Sequence, residues 1–378
     1  MPSRAERLFD LGQSVWLDFI RRGHMASGEF DRLVREAGVV GVTSNPTIFQ
    51  KAIGSSRDYD AGLDRLMRDG LEGLPLLEAL VIEDIRDACD RLAVVFEGTG
   101  GRDGRVSIEV NPHLAHDTEG TIAEGRRLHG AVARPNLMVK VPATAEGLPA
   151  ITALTSEGIC VNVTLIFSLD RYREVMDAWL NGLEQRASLG QAVDDIHSVA
   201  SFFVSRVDSK VDGAIEARLK VGLPDAARAE LEVARGRTAV ANARLAYRAF
   251  RETMAAPRFR RLAGRGANVQ RPLWASTSTK NPAYRDVLYV EDLIGTDTVN
   301  TMPPETLDAF NDHGEVEVRI DRDLAGADRL FARLPELGVP VQALIRELEH
   351  EGVVAFQKSF DALLETLVAR HKELLKAR

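Results

Sequence analysis

Eight short apolar, β-branched runs, separated by longer helical patterns, leave few folds open to this chain. They read SVWLDFI (14–20), GVTSN (41–45), RVSIEV (105–110), LMVKVPA (137–143), CVNVTLIF (160–167), SVASFFVS (198–205), PLWAS (272–276) and TVNTM (298–302). Runs of this kind, joined by helices, read as parallel strands with crossover connections. Eight such units predict an α/β fold, a (β/α)8 TIM-type barrel. A doubly wound sheet competes, but no glycine-rich phosphate fingerprint follows the first run. The 378 residues suffice for one large barrel, and 1–378 is expected to form a single domain of this type.

Two connections are long and are expected as helical insertions at about 46–104 and 206–271. The first holds PLLEALVIEDIRDACDRLAVVF, with apolar positions at helical spacing. The second holds PDAARAELEVARGRTAVANARLAYRAFRETM, which predicts a long helix or a helical pair. A helical C-terminal segment is expected over about 303–378, its amphipathic end packing on the barrel or on a second subunit. GTGGRDGR (98–105) reads as a flexible turn and no more. A strand follows it where a phosphate cradle would need a helix.

Polar residues punctuate the carboxyl ends of the runs: Asp18, Asn45, Glu109, Lys140, Asn162 with Thr164, Ser201, Ser276 and Asn300. In a barrel these ends form one rim, where active sites are built. Any one of them alone reads as a satisfied structural group; the full set predicts a site. Lys140 stands between Val139 and Val141, where a charged ammonium is costly unless paired or neutral. The chain holds 40 Arg against 8 Lys, a ratio that codon bias explains. Yet an Arg at this place would never be neutral, whereas a buried Lys can be.

A neutral buried lysine suits Schiff-base chemistry with a ketone or aldehyde. An ion pair with Glu109 or Asp18 is the plainer alternative, and spacing alone leaves both open. Schiff-base chemistry needs proton transfers, which Asp18 and Glu109 could divide. Thr164 could position a water, and Asn45, Asn162 and Ser201 suit sugar hydroxyls. Arg206, after the sixth run, and Lys280, after the seventh, could hold a phosphate, although each alone also reads as a solvated charge. The chemistry indicated is aldol cleavage or transfer on a polyhydroxylated ketone.

Net charge is −8, which argues against nucleic acid or an anionic membrane as the main partner. An anionic ligand would need a local group of basic residues. The start, MPSRAERLFDLGQ, shows no apolar h-region, and no apolar run approaches the ~18 residues of a membrane span. Cys89 and Cys160 have no metal-ligand spacing and read as free thiols. A cytoplasmic protein is expected, a monomer or homodimer.

Several motifs also resemble one family. GVTSNPTIFQKAI (41–53) resembles the first signature of the transaldolases, and LMVKVPAT (137–144) the one around their Schiff-base lysine. SIEVNP (107–112), VNVTLIFS (161–168) and ASFFVSR (200–206) are similar to transaldolase strands in the same order. The resemblance covers roughly residues 10 to 310. It implies a cofactor-free enzyme that moves a dihydroxyacetone unit from sedoheptulose 7-phosphate to glyceraldehyde 3-phosphate, in the non-oxidative pentose phosphate pathway.

By motif, it implies Lys140 as the Schiff-base residue. Glu109 would handle protons with a water held by Thr164, and Asp18 would act on the substrate hydroxyl. Asn45, Asn162 and Ser201 would hold dihydroxyacetone hydroxyls, and Arg206 the phosphate. Shorter members carry Ser-Phe-Arg-Asn after the seventh strand, where this chain reads STSTKN with about two extra residues. Lys280 is expected to replace that Arg, with Ser276 nearby. A fructose 6-phosphate aldolase, or a silent phosphosugar-binding barrel, remains the alternative.

Overall fold

The structure, a computed structural model, describes residues 2–376. Eight parallel strands close into a barrel in chain order, β1 pairing with both β2 and β8. They are β1 (Gln13–Leu17), β2 (Val39–Val42), β3 (Arg105–Glu109), β4 (Leu137–Pro142), β5 (Val161–Ile166), β6 (Ser198–Phe203), β7 (Gln270–Ala275) and β8 (Thr298–Met302). Helices cover the outer face, so nearly every strand residue is buried, which is why the runs read as continuous apolar segments. No described helix is long and apolar enough to cross a membrane.

The second run is displaced from its expectation. GVTSN was expected as strand, but β2 begins at Val39 and ends at Val42. Thr43, Ser44 and Asn45 leave the sheet, because Asn45 turns the chain into the Pro46–Ser55 helix as its N-cap, accepting from Ile48 N. Gly41 stays in the strand for a packing reason. A Cβ there would lie 2.6 Å from the buried Trp16 indole.

The long connections are helical. Residues 46–104 form the helices Pro46–Ser55, Asp60–Arg68, Gly73–Arg91 and Ala93–Gly98. The second connection contains a pair, Asp225–Ala234 and Thr238–Ala255, parted at Gly236, whose φ of 68° no helix continues through. The C-terminal helix, Val341–Lys376, packs across the mouth against Pro46–Ser55, with Thr47 Oγ1 donating to Ser359 Oγ at 2.8 Å.

GTGGRDGR is a turn whose second half is buried. Asp103 within it has no exposed surface and Arg105 only 1 %. Asp103 accepts from Ser14 Oγ (2.8 Å), Trp16 Nε1 (3.1 Å) and Arg271 Nη2 (3.0 Å), so this loop plugs the amino end of the barrel. Gly104, at φ 72°, lies so near the Phe96 backbone that a Cβ would come within 2.3 Å of its nitrogen. The glycines fix the loop in place.

Candidate active site

At the carboxyl end of the barrel opens a cavity of about 410 Å³, lined among others by Asp18, Asn45, Lys140, Thr164, Ser201, Arg206, Ser276 and Lys280. Its base is Lys140. Strand alternation turns this side chain inward while Val139 and Val141 face the helices. Its Nζ donates to the Ser44 carbonyl at 2.9 Å and lies 3.3 Å from Glu109 Oε2, with side chains only 5 % and 6 % exposed. That approach is an ion-pair distance without hydrogen-bond geometry, and Glu109 Oε2 has no hydrogen-bond partner among the described residues. The two residues are cross-strand partners, Glu109 on β3 opposite Lys140 on β4.

Burial pushes the Glu109 carboxyl above the ordinary carboxylate range, and the nearby Lys140 charge only partly offsets this. Burial likewise pushes Asp18 up, against the opposing effect of a hydrogen bond from Thr43 Oγ1 at 2.7 Å. Asp18 follows the last residue of β1, and its N–H donates to Met302 O of β8 at 2.8 Å. At the base of the cavity and just behind it therefore lie a lysine and two carboxyl groups that burial favours in their neutral form.

Thr164 Oγ1 is buried without a hydrogen-bond partner among the described residues. The next residue, Leu165, takes φ 62°, and the β5–β6 register shifts between Val163 and Ile166. The C-terminal helix comes close at this irregularity. A Cβ on Gly352 would lie 3.0 Å from Leu165 Cδ2.

Asn162 is not on the cavity wall. It lies deeper in β5, fully buried, its Nδ2 donating to Ser107 Oγ (3.0 Å) and its Oδ1 accepting from Ser201 Oγ (2.7 Å). Glu109 also lies off the open cavity, on a gap of about 10 Å³ bounded by Phe356, Pro142 and Leu165. Asn300 braces the loop after β7, accepting from Thr277 Oγ1 at 2.9 Å.

Cations gather at the mouth. Arg206 sits in the first turn of the Ser205–Leu219 helix over the Phe203 ring (5.4 Å) and makes no ion pair among the described residues. Ser276 follows β7 at φ 57°, its Oγ 2.9 Å from Ser205 Oγ. Lys280 is exposed and donates to Ser278 Oγ at 2.6 Å. Lys51, which sequence reasoning passed over, adds a third cation to the lining, against Glu305 and Asp18. The mouth thus supplies the local basic group that an acidic chain needs for an anionic ligand.

Two other residues went unnoticed in the sequence. Thr43, in the quoted VTSNP segment, was masked by its assignment to a strand. Phe356 comes from the C-terminal helix and places its ring 5.9 Å from Lys140 Nζ. The amphipathic pattern of that helix shows that one face is covered, but not what it covers.

A closed parallel barrel with a buried lysine, two carboxyl groups and a cationic mouth at its carboxyl end has the architecture of a (β/α)8-barrel enzyme. The family model described as transaldolase/fructose-6-phosphate aldolase matches residues 15–367, through most of the C-terminal helix. The chain is 51% identical over 357 residues to a transaldolase of Parafrankia sp., covering 94% of this chain and 95% of that protein. It is 44% identical over 367 residues to a transaldolase of Trichodesmium erythraeum, covering 97% of each. It is 48% identical over 355 residues to one of Mycolicibacterium smegmatis, covering 94% of each. The chain belongs to the transaldolase/fructose-6-phosphate aldolase family.

Proposed function

We infer that this protein is a transaldolase, a transferase that carries a dihydroxyacetone unit from sedoheptulose 7-phosphate to glyceraldehyde 3-phosphate, giving erythrose 4-phosphate and fructose 6-phosphate. The observation that carries this reading is Lys140, buried at the base of a cationic mouth between Glu109 and Asp18. Its amine attacks the ketone carbon once its proton has passed to Glu109, whose carboxyl burial favours in its protonated form. Protonated Glu109 then returns that proton to the carbinolamine hydroxyl, which leaves as water. The gap beside Glu109 is about the size of one water.

Asp18 takes the proton of the substrate hydroxyl as the carbon–carbon bond breaks, and the electron pair moves into the Lys140-bound enamine. The first aldehyde leaves, a second takes its place, and the same groups run the steps in reverse. Ser201, the side-chain amide of Asn45 and, behind them, Asn162 orient the three-carbon unit. Arg206, Ser276 and Lys280 take the phosphate, with Lys280 as a point charge where a fork is absent.

Borohydride reduction in the presence of fructose 6-phosphate, followed by peptide mass analysis, tests this. A dihydroxyacetone-derived adduct is expected on Lys140. An unlabelled Lys140 would return it to a purely structural ion pair and leave the binding-protein reading ahead. Turnover that needs no aldehyde acceptor would move the assignment to the aldolase branch of the family.

Two further results are expected. A transferase must keep water from its intermediate, and Phe356 closes over Lys140. Phe356→Ala is expected to raise acceptor-independent release of dihydroxyacetone from fructose 6-phosphate severalfold relative to transfer; an unchanged ratio would remove Phe356 from that role. The second concerns pH. Asp18 acts as the carboxylate, so kcat/KM falls as pH drops through its raised pKa. Thr43 hydrogen-bonds to the ionised form and lowers that pKa. Thr43→Val is therefore expected to move the acid limb to higher pH, and a limb that stays in place would assign it to another group.

A further inference from the structure

A second cavity, of about 640 Å³, is larger than the barrel mouth and lies outside the barrel, between the helices Asp225–Ala234, Thr238–Ala255 and Leu324–Glu336. Its volume falls within the range of small-molecule sites. Its lining holds five arginines against three carboxylates, in a protein whose net charge is −8. Charge of the opposite sign to the whole molecule, gathered in one cleft, is a local attraction for anions.

Two of the arginines are engaged, Arg333 by Glu230 and Glu336 and Arg235 by Glu216 at 2.7 Å, and Arg244 Nη2 donates to Arg319 O at 3.2 Å; the rest of the set is incompletely partnered. Arg237 is exposed and makes no ion pair among the described residues. Arg244 reaches Asp292 only at 3.7 Å, and Arg329 reaches Asp323 only at 3.7 Å. Arg235 Nε and Arg244 Nε are buried and have no acceptor, the two arginine nitrogens of which this is true among the described residues. Both belong to residues of this one cleft. A buried guanidinium N–H without an acceptor is unfavourable, and an anionic oxygen is its natural complement.

The spacing supplies the shape of the ligand. Val240, Ala241 and Arg244 share one face of the Thr238–Ala255 helix, and Arg237, its N-cap residue, stands in line with them at i, i+3, i+4 and i+7. Two cations bracket an apolar stretch at the cleft floor, Val240 and Ala241, of which only 5 % and 6 % is exposed, and Leu330 of the facing helix packs beside it. We propose that this cleft is a second binding site, for a small phosphorylated molecule with an apolar body, its phosphate held by Arg237 and Arg244 and its body lying on Val240, Ala241 and Leu330.

The probe is phenyl phosphate, titrated calorimetrically into the full-length protein and three variants. Arg206→Ala removes one of the two cations assigned to the phosphate at the barrel mouth and is expected to leave the cleft affinity unchanged. Arg237→Ala and Arg244→Gln are each expected to weaken that binding by about tenfold or more, the loss of one charge-assisted hydrogen bond. Arg237 makes no ion pair whose loss could unfold the chain, and turnover of fructose 6-phosphate in Arg237→Ala serves as the check on folding. Three results would overturn the site: no uptake of phenyl phosphate by the wild type, wild-type affinity in both cleft variants, or loss of all binding in Arg206→Ala.

Discussion

Lys140→Met is expected to lower kcat with fructose 6-phosphate and an aldehyde acceptor by about 10⁴-fold or more, with little change in thermal stability. The loss follows from removing the nucleophile, for which no neighbouring amine lies at the base of the cavity. The stability claim follows from the state of Glu109. Methionine fills nearly the same volume as lysine and carries no charge, so the packing of the barrel interior beside Phe356 is kept. Glu109 loses its counter-ion, but burial has already raised its pKa, and the Lys140 charge was the main influence lowering it. Without Lys140 the carboxyl takes a proton and stays neutral in the core.

Lys140→Arg separates nucleophile from ion pair. It keeps a cation beside Glu109 but never offers a neutral amine, so it is expected to be equally inactive. Substantial turnover in the arginine variant would show that charge alone is needed at this position, and the Schiff-base reading would be lost with it.

The barrel was legible in the sequence because parallel strands buried on both faces leave unbroken apolar runs, and a lysine inside such a run is conspicuous. Glu109 and Lys140 could be paired on paper, since each stands near the end of its run, and the structure makes them direct neighbours. Depth was harder to read. Asn162 and Thr164 share a strand face, yet only Thr164 lines the cavity, because the two-residue rise along β5 carries Asn162 below its base. Phe356 was illegible for a different reason. It reaches Lys140 from more than 200 positions away in the chain, and helical periodicity records only that a face is covered. The mouth was half legible: Arg206 and Lys280 stood out at strand ends, whereas Lys51 arrives on a helix with no polar pattern of its own.

The amino end of the barrel was the least legible part, and it holds the largest expected effect on stability. Asp103→Ala is expected to destabilise the fold by about 3–5 kcal/mol, measured as a lower denaturation midpoint at pH 7. In a glycine-rich turn an aspartate reads as solvated punctuation. Here it is fully buried against Arg271, which is 5 % exposed, and also accepts from Ser14 and Trp16. Removing it strands the Arg271 guanidinium in the core, where it cannot lose its proton. Burial alone would push the Asp103 pKa up, but Arg271 and the hydrogen bonds from Trp16 and Ser14 hold it below its usual value. A lowered carboxylate contributes stability that is present above its unfolded pKa of about 3.9 and is lost as pH falls through the folded value. The gap between wild type and variant should therefore persist from neutral pH down to about 4 and narrow only below that. Adding Arg271→Met to Asp103→Ala removes the stranded charge as well, so the double variant is expected to recover part of the loss. A double variant no more stable than Asp103→Ala would mean that the aspartate acts through the shape of its loop, and the ionic plug would not be what holds β1 and β7 to the base of the barrel.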